Sequence, residues 1–213
     1  MTHPAKTVAA APHLNRPAPT CEDTVGPYYP LPFLDSDRMD LTVVHPGLSI
    51  RPEGTPIELR GTVRDIHGAL ATGVLLEFWQ ADAAGRFRGP ETLAEVDSHF
   101  EGFARCRVEG AFTLRTIKPG PVSAADGAMA RAPHITLTIF SDGISRLVTQ
   151  IFFADEVNEG DPVFDAVPAP RRDRLLAAPT GEVTDGAQVY AIAIQLAGED
   201  ETPFFDDLPD GVA

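Results

Sequence analysis

The sequence predicts an all-β protein, a β-sandwich led by an extended N-terminal arm, and three observations carry that prediction. Short segments such as "HITLTIF" (134–140) alternate apolar and polar residues with a period of two, the spacing of a half-buried strand. Such segments recur at near-regular intervals, separated by Gly- and Pro-containing turns such as "EG", "KPG" and "SDG". A helical pattern is convincing in one stretch only, "APRRDRLLAAP" at about 169–178, closed by Pro179 and Gly181.

Taken in chain order, residues 1 to about 22 are rich in Pro and Ala without periodicity and read as a mobile arm. "DTVGPYYPLPFL" (23–34) follows, where Gly26, Pro27, Pro30 and Pro32 exclude helix and regular strand. A rigid aromatic segment of this kind is expected to dock on another surface. Residues 35–56 continue as loop, with "HPG" and "RPEG" as turns. The predicted strands are then "PIELRGTVRD" (56–65), "GVLLEFWQAD" (73–82), "FARCRV" (103–108), "GAFTLRTI" (110–117), "HITLTIF", "RLVTQIFF" (146–153) and "QVYAIAIQLAG" (188–198). No internal repeat or linker divides them. The expected organisation is an N-terminus and docking arm over 1–55 and one sandwich domain over 56–208.

Composition narrows the function. With 213 residues, 43% hydrophobic and 23% charged, the chain has ordinary globular composition and enough length for one sizeable core. A formal net charge of −14 argues against a nucleic-acid partner, whose phosphates need clustered Lys and Arg. No run approaches the ~20 apolar residues of a membrane helix, and the N-terminus lacks the apolar centre of a signal peptide. The expected location is the cytoplasm, with Cys21 and Cys106 as free thiols.

Chemistry is sparse. On the "HITLTIF" strand, His134, Thr136 and Thr138 share one face, so a second histidine at 136 would join His134 in holding a metal, but threonine stands there. The remaining histidines, His99 in "DSHFEG" among them, fall in the arm or in turns, and on the residues alone His134 is a structural hydrogen-bonder. There is no nucleophile elbow, dinucleotide fingerprint or phosphate loop. The acidic residues Glu199, Asp200 and Glu201 read as solvated charge.

Several segments in order, however, resemble one family. "TVGPYYP", "ELRGTVRDIHGALATGVLLEFWQADAAGRFR", "LRTIKPGPV", "APHITLTIF", "LVTQIFFADE" and "ETPFFDD" resemble the intradiol ring-cleaving dioxygenases from about Asp23 to Asp207, and the non-catalytic α-type chains of that family in particular. Catalytic chains hold ferric iron with two tyrosines and two histidines, a set in which hard Fe(III) meets anionic phenolate. The resemblance places the tyrosine positions on Thr92 and Val122 and the histidine positions on His134 and Thr136. One ligand of four remains. It further matches Arg131 and Gln150 to an arginine and a glutamine beside the reacting substrate, so these six residues read as a degenerate former site. Without an anion to meet, Arg131 is expected to pair with a local carboxylate or to reach solvent.

The resemblance therefore implies a chain that binds no metal and has no catalytic residues of its own. Its partner would be a homologous β-type chain carrying Fe(III), the two assembled as αβ pairs in a larger oligomer acting on a small aromatic diol and O₂. It assigns Thr24, Gly26, Pro27 and Tyr28 to a substrate-pocket wall shared with that partner. Relatives often carry an arginine in the turn that reads "SDG" here. Asp142 replaces it, leaving Arg146 as the substitute cation for a substrate carboxylate. The competing expectation is a stand-alone β-sandwich binding module without enzyme activity.

Overall fold

The computed structural model describes residues 39–43, 51–88, 100–123, 130–141 and 145–205. Eight strands form one sheet folded back on itself: β1 (Pro56–Arg64), β2 (Val74–Gln80), β3 (Phe103–Val108), β4 (Ala111–Ile117), β5 (His134–Ser141), β6 (Ser145–Phe153), β7 (Leu176–Thr184) and β8 (Ala187–Gln195). Their order is β3-β2-β5-β6-β7-β8-β1-β4. Only two rungs, Phe152 with Leu176 and Phe153 with Ala177, join β6 to β7. The sheet thus behaves as two four-stranded layers, the predicted sandwich. Among the described residues no helix is long and apolar enough to cross a membrane.

The core lies between the layers. Ile57, Leu59 and Val63 of β1 face Leu76 and Phe78 of β2, and Ile135, Leu137 and Ile139 of β5 complete the centre, all but fully buried. The period of two visible in the sequence is this inward face. Gly61 sits among them because the Phe112 ring lies over it: a Cβ there would stand 2.1 Å from Cζ. A smaller apolar cluster, Ala132, Phe152, Val163, Phe164, Val167 and Leu175, lies under α1 (Pro162–Ala166).

Two expectations fail between 160 and 184. The predicted helix at 169–178 is a 3-10 helix confined to Ala169–Leu175, and the chain then runs as β7 through Pro179 and Gly181. Tertiary pairing overrides local propensity here. Most of β7 is exposed, so no alternation marks it in the sequence, and Pro179 and Gly181 fall at a shift of register where a missing ladder bond costs little. The short helix α1 was not foreseen, although Asp161 before Pro162 is a cap-and-first-turn signature: the Asp161 side chain accepts from the Val163 and Phe164 amides.

Glu199 and Asp200 are exposed charge as expected, the Asp200 side chain 89% so, while the backbone of this segment is held to the 3-10 helix. Arg174 on the 3-10 helix donates to the Glu199 and Glu201 carbonyls and to the Asp200 carboxylate, and Arg171 donates to the Glu201 carbonyl. These bonds hold the C-terminal segment along β6, where the Phe205 amide donates to the Val148 carbonyl and Thr149 Oγ1 to that of Pro203. Cys106 is buried in the core.

Candidate functional site

Five of the residues singled out in the sequence, Val122, Arg131, His134, Thr136 and Gln150, converge at the outer face of β5 and β6. Register sets Thr136 opposite Gln150 and His134 opposite Phe152. The loop after β4 returns to this face, because Val122 and Arg131 exchange both backbone hydrogen bonds, at 3.0 and 2.9 Å. That return needs the "KPGP" turn to lie against the loop after β2, where Gly85 has its Cβ position 1.9 Å from the Pro121 carbonyl oxygen. Positions far apart in sequence are thereby gathered on one face. Thr24, Gly26, Pro27, Tyr28, Thr92, His99 and Asp142 lie outside the described residues.

The charge of Arg131 is neutralised inside the chain. Its Nε donates to Asp161 Oδ2 at 2.8 Å, and the two side chains are 9% and 0% exposed. Its other arm donates to Gln150 Oε1 at 2.5 Å, and Gln150 Nε2 reaches Thr136 Oγ1 at 3.4 Å. The Ala132 amide also donates to Asp161 Oδ2, so one carboxylate caps α1, fixes the strand entry and balances the guanidinium. Of the two alternatives for Arg131, the local carboxylate holds. Asp161 is the important residue that sequence reasoning missed. Its capping role was readable, whereas its pairing with a residue thirty positions away was not.

His134 is the one imidazole on this face among the described residues. It is 3% exposed and lies between Phe87 and Phe152, with ring centroids 6.3 and 5.8 Å away. Nδ1 donates to the Ala132 carbonyl at 2.7 Å, which leaves Nε2 as the unprotonated nitrogen. Burial pushes the imidazole down to about 4, against the bond to Ala132, and the positive charge of Arg131 acts in the same direction as burial. His134 is thus neutral across the physiological range.

Among the described residues, the donors on this face do not fit ferric iron. Val122 has no donor atom in its side chain, the Thr136 hydroxyl is a neutral ligand engaged with Gln150, and one imidazole does not satisfy a Lewis acid that needs several hard donors. Tyr190 is in the core, where its hydroxyl donates to Asp155 at 2.8 Å. Beside this cluster, a shallow cleft of about 520 Å³ is lined by Pro121, Arg131, Pro133, Glu156, Val157 and Asp161.

Arg146 stands apart. It is exposed and pairs in register with Phe140, four residues from Gln150 on the same face, or about 13 Å along the strand at roughly 3.3 Å per residue. The structure does not bring it to the Arg131–Gln150 pair.

Comparison with known proteins gives the same reading of the fold. A family model described as "Dioxygenase" matches residues 25–198. The chain is 39% identical over 156 residues to the protocatechuate 3,4-dioxygenase alpha chain of Pseudomonas putida, covering 72% of this chain and 77% of that one. To the alpha chain of Burkholderia cepacia it is 35% identical over 198 residues, covering 88% and 96%. The Burkholderia cepacia beta chain is 37% identical over 161 residues, covering 71% and 68%. Among solved structures, the dioxygenase domain of a dioxygenase carbohydrate-binding protein fusion from Streptomyces sp. SirexAA-E superposes with a TM-score of 0.54 at 26% identity, over 75% of this chain and 88% of that one. Catechol 1,2-dioxygenase from Pseudomonas arvilla C-1 shares the fold, with a TM-score of 0.55 at 19% identity over 82% and 58%. With this fold and a family match over most of its length, the chain belongs to the intradiol ring-cleavage dioxygenases and is similar to their protocatechuate 3,4-dioxygenase alpha chains.

Proposed function

We propose that this chain is the non-catalytic α subunit of a protocatechuate 3,4-dioxygenase, binding no metal itself and completing the substrate pocket of a homologous β subunit that carries Fe(III). The observation that carries the reading is the state of the former site. Arg131 is committed to Asp161 and Gln150, while Val122 and Thr136 stand where phenolate and imidazole would be needed. A chain retaining the fold and the arginine–glutamine pair without the ligands has use in this reaction only through a partner. The paired enzyme would use O₂ to open protocatechuate between its hydroxyls, giving 3-carboxy-cis,cis-muconate, in the cytoplasm.

In this reading residues 1–55 are the arm and 56–208 the sandwich domain. Thr24, Gly26, Pro27 and Tyr28 form a wall of the shared pocket: glycine permits close backbone approach, proline directs the path, and tyrosine offers a flat face with a polar tip. Arg146 supplies the counter-charge for the substrate carboxylate that Asp142 opposes. The chain's contribution is positional, holding and orienting a substrate whose chemistry belongs to the β subunit.

The test is co-expression with the source organism's own beta-type chain, each chain alone serving as control. Iron content, visible tyrosinate-to-iron absorption and protocatechuate-dependent oxygen uptake are expected in the co-purified pair and absent from this chain alone. Stoichiometric iron and ring cleavage by the isolated chain would overturn the reading. A soluble, colourless monomer that ignores the beta-type chain would establish the stand-alone binding module in its place.

A further inference from the structure

Strands β7 and β8 are joined by two residues, Asp185 and Gly186, beyond the rung of Thr184 with Ala187. Both have positive φ, 48° and 78°, the signature of a type I′ turn, and Asp185 is the one residue other than glycine with positive φ among those described. The pair suits the turn because glycine has no Cβ and aspartate tolerates the left-handed region. It also sets a carboxyl group beside the backbone nitrogen that follows it. The Asp185 side chain is 81% exposed. The Gly186 amide makes no hydrogen bond among the described residues, and a Cβ on Gly186 would meet nothing within 4 Å, so that nitrogen is neither engaged nor crowded.

One contact holds the carboxyl group. Arg115 of β4, seventy positions away, donates through Nη1 to Asp185 Oδ2 at 3.2 Å and through Nη2 to the Asp185 carbonyl at 2.9 Å. A single guanidinium thus grips both the side chain and the backbone of the turn. We propose that Asp185 is a site of spontaneous covalent modification, isomerisation to isoaspartate through a succinimide, and that Arg115 restrains it. The Gly186 nitrogen bonds to the side-chain carboxyl carbon of Asp185, and the carboxyl hydroxyl leaves with the amide proton as water. A second water opens the ring at either carbonyl, returning aspartate or leaving the chain routed through the side-chain carbon. No electrons change hands, and water is the only co-reactant. The isomerised product adds one backbone carbon to a two-residue turn, which the rung of Thr184 with Ala187 does not absorb. Beyond its pairing with β8, β7 has only two rungs to β6, so the damage falls on a lightly supported strand.

The test keeps the full-length wild-type chain, Arg115→Met and Asp185→Gly at neutral pH and physiological temperature for several weeks. Isoaspartate is read by enzymatic methylation of isoaspartyl groups and by mass spectrometry of the peptide that contains residue 185, where the succinimide is one water lighter. The wild-type chain unfolded in guanidinium chloride gives the unrestrained rate. Isoaspartate is expected at Asp185 in the folded wild type, more slowly than in the unfolded chain. Arg115→Met should accumulate it about 3-fold faster or more, because the rate scales with the fraction of turns whose carboxyl group is released. Asp185→Gly keeps the turn and should show no methylation of this peptide. Amide exchange along β7 and β8 should quicken in the modified fraction. Thermal melts control for folding, and Arg115→Lys, which keeps the charge but not the two-pronged grip, serves if Arg115→Met does not fold. A folded chain that forms no isoaspartate at Asp185 while the unfolded chain does overturns the site. Equal rates in the wild type and the Arg115 variant overturn the restraint.

Discussion

Strand β5 presents two faces that obey different physics. Inward, Ile135, Leu137 and Ile139 are fully buried in the core. Outward, His134, Thr136 and their neighbour Gln150 belong to a hydrogen-bonded cluster around the Arg131–Asp161 pair. The inward face is held by volume and tolerates no change of size. The outward face can exchange one strand-compatible residue for another while the fold persists, since threonine suits a pleated surface as well as histidine does. Substitution on that face is therefore invisible to the core, and its charge balance rests on Asp161 beside Arg131. Fold and chemistry are separable within a single strand.

The sharpest way to break this contrast is Asp161→Ala. It strands the buried Arg131 charge and removes the α1 cap, and we expect a loss of about 3–5 kcal/mol in urea unfolding. Arg131→Met in the same chain should recover only the part due to the stranded charge, because the Ala132, Val163 and Phe164 amides still lack the Asp161 acceptor. If Asp161→Ala alone costs under about 1 kcal/mol, the ion pair does not organise this face. Next, Leu137→Ala should cost about 3 kcal/mol through lost transfer energy and a residual cavity, whereas Thr136→Val one residue earlier should cost under about 1 kcal/mol. Equal losses would erase the distinction between the faces.

A smaller effect depends on pH. The His134 pKa is depressed from 6.5 to about 4 in the folded chain. Between those values the unfolded chain takes up a proton that the folded chain refuses, so stability falls as pH drops through this window and levels below it. At roughly 1.4 kcal/mol per pKa unit the full effect is about 3 kcal/mol, of which a comparison of pH 7 with pH 5 samples about 2 kcal/mol. The difference in unfolding free energy between the wild type and His134→Gln should change by that amount, the carboxylate contributions common to both cancelling. A flat difference would mean that His134 is accessible to protons in the fold.

Much of the fold was legible because alternation survives wherever one face of a strand is buried, as in β1, β2, β5 and β8. β7 was not legible, for the opposite reason: both its faces are largely exposed, and its Ala-, Pro- and Gly-containing sequence carries no periodic signal. In the candidate site, strand alternation drew attention to His134 and Thr136, and the resemblance added Val122, Arg131 and Gln150. Neither gave a sign that Phe87 and Phe152 flank the imidazole, since contacts across strands and loops leave no local trace.

By itself the amino-acid sequence determined the class of fold, the inward face of each buried strand and the side-chain chemistry of Val122 and Thr136, neither of which carries a phenolate or an imidazole. These are properties of residue identity and of a two-residue period, both local. Tertiary structure alone decided that Asp161 neutralises Arg131, that Arg171 and Arg174 bind the C-terminal segment to the sandwich, and that Trp79 stacks on Phe87. Each of these is a meeting of groups that are not neighbours in the chain, and burial and electrostatics act on distance in space, to which sequence separation is blind.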